Sequence, residues 1–451
     1  MTKTGTGIRD GRTRRDVLRG GAALLGGAAA PALWPALSRA ADAYPALGTY
    51  PAGVSGDTAF IGLGIDLTGP YAAQGADQQK GYELAVEHIN AGDPLPQMMS
   101  PLIKKGVLGK RLVFGVADTE SKPNTAIQAH TRFINTNKAV MIAGSVSSAV
   151  AVALNKLAQR EKVIYLPAIS GSNDTTGKDC TRYSFRACDD AYMAAAAIAP
   201  VLIKALGRDK KVAYLTPDYT YGHSVHDSMA EFTKKGGWTE ATNQLPPLGA
   251  PDFSSYLLNI ANSGADVLVN IGFGADAVNS IKQAKQFGIL EKMQLVLPYN
   301  APFIAKEVGA DIMQGVYATT EFWWTQAEKN PIAKAFVDVF EAKYKYKPEW
   351  GAHIAYLQTV LWADNVEQAG TFYPPEVIKA YEQGTKRQTT IGEVYWRAED
   401  HQLVRPVFVQ RGKKPADMRS PDDYFDILEV APGSQVMQPI DSTGCKMGEV
   451  T

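Results

Sequence analysis

Two short loops carry serines at places where a small anionic ligand could be bound. Ser147 follows the apolar run 139–143, and Ser170, in the segment that begins at Ala168, follows the apolar run 163–166. A serine at the start of a helix presents its hydroxyl beside free backbone N–H groups, which suits a carboxylate. Serines at such places also cap helices and shape turns in proteins that bind nothing there. The sequence leaves both interpretations open.

Other patterns could indicate catalysis, but each lacks a necessary part. The sequence contains no Gly-x-Ser-x-Gly elbow, and no histidine stands in the order of a catalytic triad. His223 and His226 are three residues apart and could share a helix face, as metal ligands do, but no third ligand is evident. We therefore predict that the protein is not an enzyme and holds no metal.

A glycine pair near residue 272 resembles a dinucleotide-binding fingerprint. Gly272-Phe273-Gly274 follows the apolar run 267–271. The true fingerprint belongs in the first strand–helix turn of its domain, with an acid ending the second strand, and this pattern comes late in the chain. We therefore predict no cofactor and interpret Phe273 as a wall of a ligand cleft.

Strands and helices alternate around the serine loops. Val150, Leu154 and Leu157 recur at helical spacing and predict a helix over 147–160, between strands at 139–143 and 163–166. A strand–helix–strand unit makes a right-handed crossover between parallel strands. Both serine loops then lie at the carboxyl edge of one sheet, where open α/β sheets bind ligands.

The same alternation occurs twice, which predicts an α/β protein with two Rossmann-like lobes. An extended piece at 182–190 separates the two runs, and helices from residue 330 onward return to the first lobe. The predicted parts are an export signal, lobe 1, lobe 2 and a C-terminal tail, at residues 1–40, 57–187 plus 320–385, 188–319 plus 386–425, and 426–451. Three crossings between two lobes form a hinge, and the cleft between them is the expected binding site.

The first forty residues have the layout of an export signal. Arg14 and Arg15 precede a short segment rich in glycine and alanine, and a small-residue cleavage site lies near Ala40. The paired arginines resemble a twin-arginine signal. A membrane anchor would need about 20 strongly apolar residues, which this run does not supply. We expect a soluble periplasmic protein whose mildly acidic body does not bind nucleic acid.

The sequence has three cysteines. In an exported chain Cys180 and Cys188 are expected to pair, since a turn could bring them together. Cys445 is left without a predicted role.

Taken together, the sequence resembles the periplasmic substrate-binding proteins of branched-chain amino acid and amide ABC transporters. The likeness spans about residues 58–413 and rests on five segments, namely Ile61–Asn90, Gly144–Ser148, Leu166–Ser170, Arg182–Asp190 and Asp218–Gly222. It implies two lobes, joined by three crossings, that close over a small ligand and deliver it to an ABC permease in the inner membrane. We expect a monomer. The alternative function is a ligand-binding sensory subunit of a signalling system.

The resemblance also implies roles for individual residues. Ser147 would hold the ligand carboxylate. Ala168, through its backbone, and Ser170, through its hydroxyl, would contact both the carboxylate and an ammonium group. Tyr221, in a Tyr-Gly pair that opens a helix of the second lobe, would close over the ligand.

Three further positions concern the ligand's identity. Phe273 stands where relatives often carry an aromatic residue, and Gln74 would line the first loop. Tyr299 stands where amino-acid binders carry the acid that takes the ammonium group, so Asp276 or Glu321 would have to substitute. The resemblance therefore implies a small carboxylate or amide ligand, either an amino acid or an aromatic or hydroxy acid.

Overall fold

The computed structural model describes residues 56–449, so the predicted export signal lies outside the described part. The strands are β1 Thr58–Ile65, β2 Arg111–Asp118, β3 Met141–Gly144, β4 Ile164–Leu166, β5 Lys211–Leu215, β6 Thr239–Gln244, β7 Val267–Asn270, β8 Gln294–Leu297, β9 Tyr317–Thr320, β10 Arg387–Thr389, β11 Gly392–Trp396, β12 Leu403–Val404, β13 Val407–Gly412 and β14 Phe425–Ala431.

The helices alternate with these strands over most of the chain. They are α1 Ala72–Ala91, α2 Pro94–Met99, α3 Pro123–Asn135, α4 Ser148–Glu161, α5 Ala191–Leu206, α6 Thr220–Lys235, α7 Ser254–Ala261, α8 Ala275–Gln286, α9 Pro302–Val308, α10 Ala310–Met313, α11 Pro331–Tyr344, α12 Trp350–Ala369, α13 Pro374–Glu382, α14 Gly433–Val436 and α15 Ile440–Thr443. No helix among residues 56–449 is both long and apolar enough to cross a membrane.

The strands form two principal sheets, and the predicted α/β fold with two lobes is confirmed. The lobe 1 sheet has the order β2-β1-β3-β4, and all its pairs are parallel. The lobe 2 sheet has the order β14-β13-β9-β8-β7-β5-β6, and its strands from β9 to β6 are parallel. β13 pairs antiparallel with β9, and β14 pairs antiparallel with β13. β10–β12 form a separate antiparallel sheet, and the lobe boundaries inferred from sequence stay a prediction.

Two elements depart from the sequence-based expectation. Residues 191–206 form α5, where the sequence predicted no helix, because the run AYMAAAAIAP has no polar face to reveal a helical period. Asp190 caps this helix by accepting a hydrogen bond from the Met193 N–H at 2.8 Å. The predicted tail also contains β14, which is the edge strand of the lobe 2 sheet.

Two buried arginines tie the three crossings between the lobes together. Arg186, in the first crossing, pairs with Asp190 at 2.9 Å and donates to the Gln402 side-chain oxygen, just before β12, at 2.6 Å. Arg405, just before β13, pairs with Glu321, just after β9, at 2.5 Å. Removing one partner of a buried pair leaves an uncompensated charge, so these pairs fix where the hinge segments run.

The predicted disulfide between Cys180 and Cys188 is wrong. Cys180 is bonded to Cys445, and Cys188 is free and fully buried. The Ser170 N–H lies 3.4 Å from the Cys188 sulfur, so this cysteine packs against the serine loop. Cys180 lies further along the chain than the serine loop and before Cys188, where the returning C-terminal segment meets it.

The C-terminal segment leaves the lobe 2 sheet and ends against the loop that follows β4. After β14, Gly433 packs against the Arg405 backbone, and the Gln438 carbonyl accepts a hydrogen bond from Arg397 at 2.8 Å. The segment then reaches the disulfide, and the Gly448 carbonyl accepts a hydrogen bond from Arg182 at 3.0 Å. We call residues 432–448 the C-terminal strap.

Candidate functional site

A narrow cavity lies between the lobes, at the carboxyl ends of the strands of both sheets. Most of its lining is aromatic, from Tyr71, Tyr219, Tyr221, Phe273, Tyr299 and Trp350, and the rest comes from Val146, Ile169 and Gly171. Except for Trp350, the first residue of α12, these residues lie in loops or helix starts that follow β1, β3 and β4 in lobe 1 and β5, β7 and β8 in lobe 2. This is where parallel α/β sheets place ligands.

The rings pack against one another in defined geometries. Tyr299 stacks on Trp350 with ring centres 5.3 Å apart and planes 3° apart, while Phe273 meets Trp350 edge-on at 5.2 Å. Tyr221 lies 5.7 Å from Tyr299. Such pairs stabilise one another beyond the area they bury, so the aromatic walls of the cavity are preorganised.

The loop after β3 presents Ser147 at the start of α4. Asp66, at the end of β1, fixes this loop by accepting hydrogen bonds from the Ser145 hydroxyl at 2.6 Å and the Val146 N–H at 2.5 Å. The Ser147 hydroxyl is fully buried and has no hydrogen-bond partner within the described residues. Beside it are the first N–H groups of α4, so the loop can hold an anion.

Several other buried polar groups near the cavity also have no hydrogen-bond partner among residues 56–449. They are the Gln74 amide, the Asp189 carboxylate, the Tyr221 hydroxyl and the Asn300 amide. Most buried polar groups in proteins are satisfied, and each exception calls for an explanation. A polar ligand in the cavity would supply partners for such groups.

The structure brings most of the sequence-predicted site residues to this place. Tyr221, Phe273 and Tyr299 line the cavity. Gln74 lies next to the Gly274 loop, since a Cβ on Gly274 would be 3.2 Å from the Gln74 amide oxygen. Ser147 follows the cavity residue Val146.

The two predicted residues of the second serine loop, Ala168 and Ser170, do not line the cavity themselves. Ala168 is fully buried next to the cavity residue Ile169. The Ser170 hydroxyl lies 2.7 Å from the Thr175 hydroxyl, and its carbonyl accepts a hydrogen bond from Arg186. Contact of these residues with a ligand stays a prediction.

The two acids considered as substitutes at the Tyr299 position have other partners. Glu321 accepts hydrogen bonds from Arg405 at 2.5 Å and lies 2.9 Å from the His353 ring nitrogen. Burial opposes its charge, but His353 and Arg405 hold the pKa of Glu321 below its usual range. Asp276 accepts a hydrogen bond from the Gly249 N–H at 2.9 Å, and burial raises its pKa to about 6.

A third acid, Asp189, was not identified from the sequence. Its side chain is fully buried, and burial raises the pKa of its carboxyl to about 7. The Tyr299 hydroxyl donates to its backbone carbonyl at 3.5 Å, which places Asp189 beside a cavity wall. The only sequence signal is the Asp189-Asp190 pair, of which the second member caps α5.

The two histidines noted in the sequence, His223 and His226, have acidic partners. His223 lies 3.0 Å from Asp218, and His226 lies 3.0 Å from Glu240, both on the outside of lobe 2. Within residues 56–449 no group of three or more His, Cys, Asp or Glu side chains is placed to hold a metal ion.

Comparison with known proteins identifies the family. A family model described as Periplasmic binding protein matches residues 58–417. The Leu/Ile/Val-binding protein homolog 7 of Brucella abortus is 28% identical over 316 residues, which cover 66% of this chain and 75% of that protein. The Leu/Ile/Val-binding protein BraC3 of Rhizobium johnstonii is 26% identical, over 74% of this chain and 86% of that protein.

A solved structure shows the same likeness. The amino acid ABC transporter substrate-binding protein from Pseudomonas fluorescens Pf-5 has a TM-score of 0.77 and 28% identity, and the match covers 87% of this chain and 100% of that one. The chain belongs to the type I periplasmic binding proteins of the branched-chain amino acid ABC transporter family. Members of this family are ligand-binding receptors and not enzymes.

In this periplasmic binding protein the two lobes contact each other around the cavity. The Tyr71 and Tyr219 hydroxyls, one from each lobe, are hydrogen-bonded. The Ala275 N–H of lobe 2 donates to the Pro70 carbonyl of lobe 1 at 3.0 Å. Gly274 has φ of +62°, and a Cβ there would lie 2.5 Å from the Pro70 carbonyl oxygen. The described conformation is therefore closed, and it depends on a glycine at residue 274.

Proposed function

We propose that this receptor captures a small ligand carrying a carboxylate or amide group, by closure of its lobes, and delivers it to an ABC permease. The main support is the buried, unpartnered Ser147 hydroxyl at the start of α4, beside a cavity walled by aromatic rings. The hydroxyl and the helix N–H groups suit the anionic end of the ligand, and the rings suit its apolar part.

The proposed contacts could give micromolar affinity. A hydrogen bond to a charged group contributes about 1.5–3 kcal/mol, and two or three of them with apolar burial can reach about −8 kcal/mol, which corresponds to micromolar affinity. Because the walls come from both lobes, a ligand binds the closed state better than the open one and shifts the population toward closure.

Native mass spectrometry of protein isolated from the periplasm tests this proposal, followed by titration calorimetry with amino acids, aromatic acids and hydroxy acids. We expect a bound carboxylate or amide, and we expect Ser147→Ala to weaken its binding about tenfold or more, since a hydrogen bond to a charged group is lost.

Ser184→Ala is a matched control. Ser184 is also a buried serine whose hydroxyl has no hydrogen-bond partner in the described part, but it does not line the cavity. Equal effects of the two substitutions, or the absence of binding across the whole panel, would contradict the proposed site.

A further inference from the structure

Asp189 is a buried acid whose charge no nearby group balances by a direct bond. Its side chain is 0% exposed, and within residues 56–449 neither carboxylate oxygen has a hydrogen-bond partner. Its backbone carbonyl accepts the Tyr299 hydroxyl at 3.5 Å, and its charge, after burial, contributes to raising the pKa of Tyr299 and of Tyr221. Both rings line the cavity.

The cation nearest to Asp189 is bonded to other groups. Arg405 donates to the Glu321 carboxylate and to the Glu321 carbonyl, both at 2.5 Å, and to the Ala187 carbonyl at 3.4 Å. The second arginine of the hinge, Arg186, pairs with Asp190 at 2.9 Å. Within the described residues the Asp189 carboxylate is therefore an acceptor without a donor, in a residue whose backbone carbonyl contacts the cavity residue Tyr299.

We infer that Asp189 determines the specificity of the site by selecting a ligand that carries a cationic amine together with its carboxylate. This inference rests on the proposed function. The amine would be attracted by the Asp189 carboxylate, since an opposite charge stabilises a buried acid in its ionised form. The carboxylate of the same ligand would lie at Ser147.

The charges around Asp189 explain why an acid without an amine fits less well. Glu321 is paired with Arg405, but the buried Asp189 carboxylate has no bonded cation within residues 56–449, and burial of a further negative charge near it is unfavourable unless a positive charge accompanies it. A ligand with an amine brings that positive charge. An acid in the first crossing would thus supply what the loop after β8, where Tyr299 stands, does not.

The inference predicts how affinity depends on pH. Burial raises the pKa of the Asp189 carboxyl to about 7, and a cationic ligand favours the ionised form. Amine affinity should therefore rise by up to about tenfold per pH unit below 7 and level off above it. The other titratable and charged groups facing Asp189 are Arg405, Glu321, Asp190, Cys188, Tyr221 and Tyr299.

Two of these neighbours do not titrate between pH 5 and 8. Burial raises the pKa of the Cys188 thiol to about 12, and His353 and Arg405 hold the pKa of Glu321 below its usual range.

Titration calorimetry of the exported protein with matched ligand pairs tests the inference. The pairs are L-leucine with 4-methylpentanoate and L-phenylalanine with 3-phenylpropionate, which differ by the amine alone. We expect the amine-bearing member to bind more tightly, and Asp189→Asn to weaken its binding by about 30-fold to 1000-fold, as when one partner of a buried charge pair is truncated. The amine-free acid should change by less than about threefold.

Asp276→Asn is the matched control, because Asp276 is also a buried acid with a raised pKa but accepts a backbone N–H. It should leave the discrimination between pair members unchanged. If Asp189→Asn does not fold, the pH dependence of the wild type serves instead, since only the amine-bearing member should gain affinity from pH 5 to 7.

The outcomes separate this inference from the proposed function. Preferred binding of the amine-free acids, an unchanged amine affinity in Asp189→Asn, or equal pH profiles for both members would overturn the role of Asp189 and leave the receptor function standing. If no member of either pair binds, and the wider panel of amino, aromatic and hydroxy acids also fails, both are overturned.

Discussion

At the scale of single residues, the hinge depends on a buried charged cluster. Glu321 lies between Arg405 and His353, and all three side chains are at most 1% exposed. Glu321 and Arg405 come from different crossings, so their pair joins two chain segments that are 84 residues apart in sequence. An intact buried pair of this kind fixes the position of its chain segments more than it stabilises the fold. Removal of one partner, in contrast, strongly lowers the stability of the fold.

Glu321→Gln should therefore lower the free energy of unfolding by about 3–5 kcal/mol, because Arg405 stays buried without its counter-charge. The stabilisation of the fold by the ionised Glu321 is fully present above its unfolded pKa of about 4.3 and is lost as the pH falls through its lower folded pKa. The difference in unfolding free energy between the wild type and the variant should therefore become smaller in acid. Urea unfolding at several pH values measures both effects.

Glu291→Gln is the control for this substitution, because Glu291 pairs with Lys285 on the surface and such pairs contribute little. A comparable loss of stability in both variants would contradict a special role for the hinge cluster.

Some of these residues could be predicted from the sequence and others could not, for a physical reason. Ser147, Tyr221 and Phe273 stand beside strand ends and helix starts, which local patterns reveal. Asp189 could not be recognised as an unpartnered acid, because its state depends on where Arg405 and Tyr299 lie. These are 216 and 110 residues further along the chain, and no local pattern carries that information.

At the scale of elements, the strand–helix turns bring the two lobes into contact. The predicted strand 139–143 and helix 147–160 match β3 and α4 within two residues, because apolar periodicity is a strong signal in such units. α5 was not predicted, since its alanine-rich run shows no amphipathic period. Contacts between loops of different lobes, such as Gly274 against Pro70, have no sequence signal at all.

Gly274→Ala should hinder closure, because its Cβ would lie 2.5 Å from the Pro70 carbonyl oxygen of the other lobe. Its backbone, with φ of +62° and ψ of −136°, lies in a region that is nearly restricted to glycine and adds a local cost of about 1–3 kcal/mol for a residue with a side chain. We expect at least a tenfold loss of ligand affinity, and small-angle scattering should show that ligand no longer compacts the protein.

Gly264→Ala separates these two effects. Gly264 also has a positive φ, of +69°, but a Cβ there would meet nothing within 4 Å. This variant should lose stability and still close on the ligand. If it lost affinity as Gly274→Ala does, backbone strain and not the contact between lobes would be responsible.

At the scale of the whole molecule, the disulfide between Cys180 and Cys445 holds the C-terminal strap in place. The two cysteines are 265 residues apart in sequence. The family model ends at residue 417, so the strap lies beyond the part of the chain that it matches. The pairing could not be predicted from sequence, because Cys188 is closer to Cys180 along the chain but is buried under the serine loop.

Replacing Cys180 and Cys445 together by serine should lower the free energy of unfolding by about 2–4 kcal/mol, since a cross-link restricts the unfolded chain. Guanidinium unfolding measures this, and Cys188→Ala is the control that keeps the disulfide. Thiol titration of the unfolded wild type should find one reactive thiol, and three would contradict the pairing.

The same bond makes a covalent ring of the chain from residue 180 to residue 445, and the whole lobe 2 sheet lies inside that ring. A single proteolytic cut in any loop of lobe 2 would therefore leave the two pieces covalently joined through the disulfide. Under denaturing conditions the nicked protein would remain one species without reductant and separate into two fragments only after the disulfide is reduced. Lobe 2, which carries half of the cavity wall, is in this way protected against loss after damage to its loops.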